Sequence, residues 1–140
     1  METMVNVLIV DDEQVVIDGY KSAIKNFNSL ADADMQIQLT TSRDSESALK
    51  KLELTRFDVF IIDIDLPGKD GIELAEMIRN KHPHAPMIFQ TSIDHEVVIE
   101  YAMTKIKALD YIKKPYPRAR IISLLYDIIA NINKSEDKHD

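Results

Sequence analysis

Two short apolar runs end on carboxylates: Val5–Val10 (VNVLIV) stops at Asp11-Asp12, and Val59–Ile62 stops at Asp63. Runs this short and this rich in β-branched residues have the length of strands buried on both faces, a pattern that belongs to parallel sheets. Helical spacing follows each run. From Gln14 to Phe27 the apolar positions Val16, Tyr20, Ala23 or Ile24, and Phe27 recur on one face, with Asp18, Lys21 and Lys25 opposite. Gln36–Thr41 (QIQLTT) alternates as a half-wet strand does, and Ser45–Leu54 carries Ala48, Leu49 and Leu52 as a second helix.

The alternation continues to the end of the chain. Leu66-Pro67-Gly68-Lys69 reads as a turn, and Asp70 with Glu73 has capping-box spacing for a third helix reaching about Asn80. Met87–Thr91 is a strand, Asp94 is the expected N-cap of a helix through Thr104, and Leu109–Ile112 is a short strand. After Pro115 and Pro117 a fifth helix spans Arg118–Asn133, and residues 134–140 form a charged, frayed tail. Five strands alternating with five helices predict an α/β fold: a doubly wound, five-stranded parallel sheet covered on both faces. Strands one, three and four are nearly all apolar, so strands two and five belong at the edges, in the order 2-1-3-4-5.

Composition narrows the function classes. The chain has 17 Lys and Arg against 24 Asp and Glu, a net charge of −7, which disfavours nucleic acid as a partner. Without cysteine there is no disulfide framework and no thiolate zinc site. Neither a membrane span nor a signal peptide is apparent, and the expected location is cytoplasmic. With glycine only at 19, 68 and 71, neither a P-loop nor a dinucleotide fingerprint can be built, which removes a nucleotide or flavin binder.

In this topology ligands bind beyond the carboxyl ends of the strands, in the crevice between strands one and three. Asp11, Asp12 and Asp63 meet there. Carboxylates that close repel one another unless a cation sits among them, and a hard ion with oxygen ligands, Mg²⁺, suits them. Strands four and five bring a hydroxyl, Thr91, and an ammonium, Lys114. Acids, hydroxyl and lysine around one mouth form a phosphoryl site, and a carboxylate can be its nucleophile.

The chain resembles the receiver domain of bacterial response regulators over roughly Asn6 to Asn133, a flavodoxin-like fold. The resemblance rests on VLIVDDE, on FDVFIIDIDLPGKDG, on the threonine of PMIFQTS and on Lys114-Pro115 in DYIKKP. From Asp12 to Asp63, Thr91 and Lys114 the successive spacings are 51, 28 and 23 residues, which suit that family. The resemblance implies that Asp63 accepts a phosphoryl group from a phosphohistidine of a histidine kinase or phosphotransfer protein. It further implies that Asp12, Asp63 and the backbone carbonyl of Asp65 bind Mg²⁺ directly, with Asp11 nearby or acting through water. Thr91 and Lys114 would contact the phosphoryl group, Tyr111 would repack when Thr91 moves inward, and Lys114-Pro115 is often cis in such domains. One departure concerns the loop before strand five, where Lys107-Ala108 replaces the family's common Gly-Ala and predicts an altered loop.

Plainer readings stand beside these. Asp11-Asp12 could simply cap the first helix. His82 and His84 in KHPHAP read as solvated loop residues. Helices four and five carry apolar residues beyond one stripe, Leu124 and Tyr126 among them, which reads either as a wide core face or as a docking or homodimer surface for a downstream protein target. The competing function is a Mg-dependent phosphohydrolase resembling the haloacid dehalogenase group, suggested by Asp63-Ile64-Asp65. An acid pair some fifty residues upstream argues against it. The chain is expected to be either a stand-alone regulator or the receiver part of a longer protein with an output domain.

Overall fold

The computed structural model describes residues 3–31, 35–66, 70–92 and 94–137, without the side chains of 3 and 134–137. Its elements alternate as β1 (Thr3–Val10), α1 (Gln14–Leu30), β2 (Met35–Ser42), α2 (Ser45–Leu54), β3 (Val59–Asp63), α3 (Gly71–Lys81), β4 (Met87–Thr91), α4 (Glu96–Thr104), β5 (Asp110–Lys113) and α5 (Arg118–Asp137). All strands pair in parallel, in the order β2-β1-β3-β4-β5 expected from their apolar patterns. Every residue of β3 and β4 is buried, whereas the edge strand β5 buries only Ile112.

Strand alternation sends successive side chains to two cores. Leu8, Val10, Phe60, Ile62, Met87 and Phe89 pack with α3 residues Leu74, Ala75 and Ile78 and with Ala102 of α4. Val5, Val7, Ile9, Val59, Ile61 and Ile88 pack on the other side with Tyr20, Ala23 and Ile24 of α1 and with Ile121, Leu124, Leu125 and Ile128 of α5. Each fully buried aliphatic or aromatic side chain in these layers contributes roughly 1.5–3 kcal/mol. Leu124 is therefore core, but Tyr126 is 61% exposed, so the two extra apolar residues of the fifth helix part company.

Local chemistry explains the starts and ends. Asp70 caps α3 as expected, its carboxylate accepting the Glu73 N–H at 2.8 Å. Asp94 does not cap α4. The N-cap is His95, without a side-chain bond, and the Asp94 carboxylate instead accepts from Lys113 Nζ at 2.7 Å. Residues 67–69 of the expected turn lie outside the described residues. The backbone of α5 continues four residues past the boundary read at Asn133.

In the loop before β5 Lys107 itself takes the left-handed conformation that glycine adopts freely, φ 61°. A residue with a Cβ pays roughly 1–2 kcal/mol there. Arg79 holds the loop: its guanidinium donates to the carbonyls of Ile106 at 2.8 Å and Ala85 at 2.6 Å, tying the α4–β5 and α3–β4 connections together. His82 and His84 are both exposed, and His82 stacks on the Phe60 ring with centroids 6.4 Å apart.

Candidate functional site

Three strand ends converge. The pairing of β1 with β3 runs to Val10 and Ile62, so Asp11 and Asp63 emerge side by side one residue further on. Between them comes Lys114, just beyond β5. Its Nζ lies 2.8 Å from Asp11 Oδ2, 2.9 Å from Asp63 Oδ2 and 2.9 Å from Glu13 Oε1. Asp11, Asp63 and Lys114 are all buried. The Lys114-Pro115 bond is cis.

Asp11 does not act as the N-cap of α1. That position is Glu13, and Asp11 Oδ1 accepts the Glu13 N–H at 2.8 Å just before the helix begins. Asp63 Oδ1 likewise accepts the Asp65 N–H at 3.0 Å. Behind Asp63 the backbone is held by Gly71, whose N–H donates to the Ile64 carbonyl at 2.8 Å. A Cβ on Gly71 would stand 2.1 Å from the Asp63 carbonyl oxygen, so only glycine lets α3 begin this close to the end of β3.

Carboxylate oxygens of Asp11, Asp12, Glu13 and Asp63 lie within 4.8 Å of one another. Four acids against one ammonium leave the cluster short of positive charge, the condition in which a divalent cation is favoured. Asp63 feels both its burial and these charges. Burial pushes its carboxyl up from 3.8 to about 6, and the nearby Asp11 adds to the rise, while Lys114 and the Asp65 N–H hold it down. It is still mostly ionised at pH 7. Burial alone would pull Lys114 down, but its hydrogen bonds to Asp11, Asp63 and Glu13 prevail and raise it, so it stays an ammonium.

Of the residues singled out from sequence, Asp11, Asp12, Asp63 and Lys114 come together. Thr91 is fully buried at the end of β4, and its carbonyl accepts the Lys114 N–H at 2.9 Å. Tyr111 pairs with Phe89 in register and packs half-buried against the α3/α4 core, where burial and then Asp94 and Asp63 raise its hydroxyl. The Asp65 side chain is exposed, and its backbone N–H is turned to Asp63.

Sequence reasoning missed Glu13, Gly71 and a buried polar group behind Asp11. Gln90, fully buried in β4, donates from Nε2 to Asp11 Oδ2 at 2.9 Å. Its Oε1 accepts from the Tyr20 hydroxyl at 2.9 Å and the Tyr116 hydroxyl at 2.8 Å. The signal was present: a lone amide inside an otherwise apolar central strand must find partners.

Fold and site together define a doubly wound α/β domain with an acid-and-lysine mouth at the carboxyl ends of its central strands. The response regulator receiver domain model matches residues 7–126, and the chain belongs to that family, the receiver domains of two-component signalling. It is 31% identical over 121 residues to the sensory transduction protein LytT of Bacillus subtilis (strain 168), covering 84% of this chain and 45% of LytT. It is 34% identical over 117 residues to the regulatory protein VanR of Enterococcus faecium, covering 84% of this chain and 46% of VanR. The chain thus spans about half the length of these curated relatives. A CheY-like response regulator receiver domain protein from Methanospirillum hungatei JF-1 superposes with a TM-score of 0.78 at 23% identity, covering 97% of this chain and 99% of that one. Among the described residues no helix is long and apolar enough to cross a membrane.

Proposed function

We propose that this domain takes a phosphoryl group onto Asp63 from a phosphohistidine of a partner histidine kinase or phosphotransfer protein, in the cytoplasm. The reading is carried by one observation: a buried ammonium held within 2.9 Å of two buried carboxylates from neighbouring strand ends. Asp11, Asp12, Asp63 and the Asp65 backbone carbonyl would hold Mg²⁺, and Glu13 belongs to the same acid cluster. Bound there, the ion supplies positive charge to the equatorial oxygens of the transferring group.

The remaining work falls to the chain. An Asp63 oxygen attacks phosphorus in line; the new O–P bond forms as the P–N bond breaks, and the imidazole nitrogen of the donor keeps the electron pair. Lys114, already paired with Asp63, donates a hydrogen bond to one incoming phosphoryl oxygen, and the Thr91 hydroxyl donates to another. Burial of Asp11, Asp63 and Thr91 limits water around the acyl phosphate. Repacking of Tyr111 after Thr91 moves carries the change towards α4 and β5.

Val97, Tyr101 and Met103 of α4 and Leu109 before β5 are between 38% and 68% exposed, and this face is where a downstream target or a second copy would dock, whereas Tyr126 of α5 sets its ring edge-on to Phe27 of α1 at 5.5 Å. A chain that stays monomeric at high concentration, with and without a phosphoryl mimic, argues against the second copy. Incubating wild type and Asp63→Asn with Mg²⁺ and a small acyl phosphate tests the main proposal. One added phosphoryl group on the wild type and none on the variant is expected, and equal labelling of both refutes it.

A further inference from the structure

Asp11 is fully buried, so its direction is set by whatever donates to it. Oδ1 is held by the Glu13 N–H, whereas Oδ2 is shared by Lys114 and the Gln90 amide. A carboxylate accepts only, so the Gln90 amide must turn its NH₂ towards Asp11 and its oxygen away. That oxygen meets two hydroxyl donors, Tyr20 from α1 and Tyr116 from the loop after β5. Each bond joins residues far apart in the chain, so β4, α1 and the β5–α5 connection are locked around one side chain.

Apolar residues of similar size would fill this space without desolvating an amide and two hydroxyls, a burden of about 1–3 kcal/mol for each group that lost its partner. The polar atoms form an unbroken chain that ends on Asp11.

We propose that Gln90 is a positioning residue: its amide, anchored by the Tyr20 and Tyr116 hydroxyls, holds the Asp11 carboxylate in the direction from which it serves both a divalent cation and Lys114. This rests on the reading of the mouth as a magnesium-dependent phosphoacceptor site. Partners that orient a ligating carboxylate from behind set metal affinity, commonly by about 10-fold or more.

The test is calorimetric titration of magnesium chloride into wild type, Gln90→Met and the double variant Tyr20→Phe/Tyr116→Phe, at a temperature where circular dichroism shows each folded. Magnesium binding is expected to weaken by about 10-fold in Gln90→Met and by a smaller factor in the double variant. The magnesium concentration giving half-maximal phosphoryl uptake is expected to rise in the same order. A role in packing alone would lower thermal stability and leave the affinity of the folded protein unchanged. Affinities within about two-fold of wild type in the folded variants overturn the proposal. If Gln90→Met does not fold, the double variant decides: it keeps the amide and removes only its anchors. A wild type that binds no magnesium overturns the phosphoacceptor reading and this inference together, whereas normal wild-type binding with unaffected variants overturns this inference alone.

Discussion

The mouth at the ends of β1, β3 and β5 and the outer face of α4 are built on opposite terms. At the mouth, the buried charged groups are held by several partners: Lys114 by three carboxylates, Asp11 by an ammonium, an amide and a backbone N–H. On the outer face, α4 buries only Ala102 and leaves Val97, Tyr101 and Met103 to solvent. A crowded, charged site needs such support because an unpaired ion inside a protein is costly. A lightly packed helix shifts more readily, since regions with few buried apolar contacts sit at the low end of local stability. The chemistry proposed for the mouth thus falls where geometry is over-determined, and the proposed docking face where it is not.

The difference is open to measurement. The largest effect falls on Lys114. In metal-free buffer Lys114→Met leaves Asp11 and Asp63 without their counter-ion and is expected to lower unfolding free energy by about 3–5 kcal/mol. Urea denaturation checks this, and added Mg²⁺ is expected to restore part of the loss. A fall below about 1 kcal/mol would mean that the mouth is not under electrostatic strain.

Next comes the pH dependence of Asp63. Its folded carboxyl titrates at about 6 rather than 3.8, so the folded state holds the proton more tightly than the unfolded chain does. Its contribution favours folding at low pH and is lost as pH rises through that window. Without metal, wild type is expected to lose about 2 kcal/mol relative to Asp63→Asn between pH 4 and pH 6.5. Parallel denaturation curves for the two proteins would show the mouth to be relaxed instead.

Gly71→Ala sharpens the comparison further, because the new methyl collides with the backbone of Asp63 and Ile64. A loss of about 1–3 kcal/mol is expected, with slower phosphoryl uptake as the end of β3 is displaced. The smallest effect belongs to the outer face. Val97→Gln is expected to change stability by less than about 0.5 kcal/mol while weakening association with a downstream target, read by titration with that partner. Equal destabilisation at both regions would erase the distinction.

The order of the strands and the acids at their ends were legible because a strand buried on both faces leaves a continuous apolar run, and Asp11 and Asp63 break it abruptly. Lys114 and Thr91 were legible as the polar residues at the ends of the last two strands. Tyr20 read only as an apolar position of the first helix, since nothing in sequence spacing brings its hydroxyl to an amide 70 residues away. Asp94 was misassigned as a cap because its partner, Lys113, lies 19 residues further on, across the end of the sheet. At Lys107 the sequence showed the loss of a glycine but not the backbone conformation of the loop. Substitution removes a preference for positive φ without removing the conformation, and Arg79 binding the loop carbonyls supplies what glycine would have made easy.

The most direct test of the central claim is chemical trapping. After incubation with magnesium and a small acyl phosphate, borohydride reduces an aspartyl phosphate to homoserine, and peptide mass analysis locates it. Homoserine at position 63, and at no other acid of the cluster, is the expected result. Homoserine at 11, 12 or 65, or none in a protein that has bound magnesium, would contradict it.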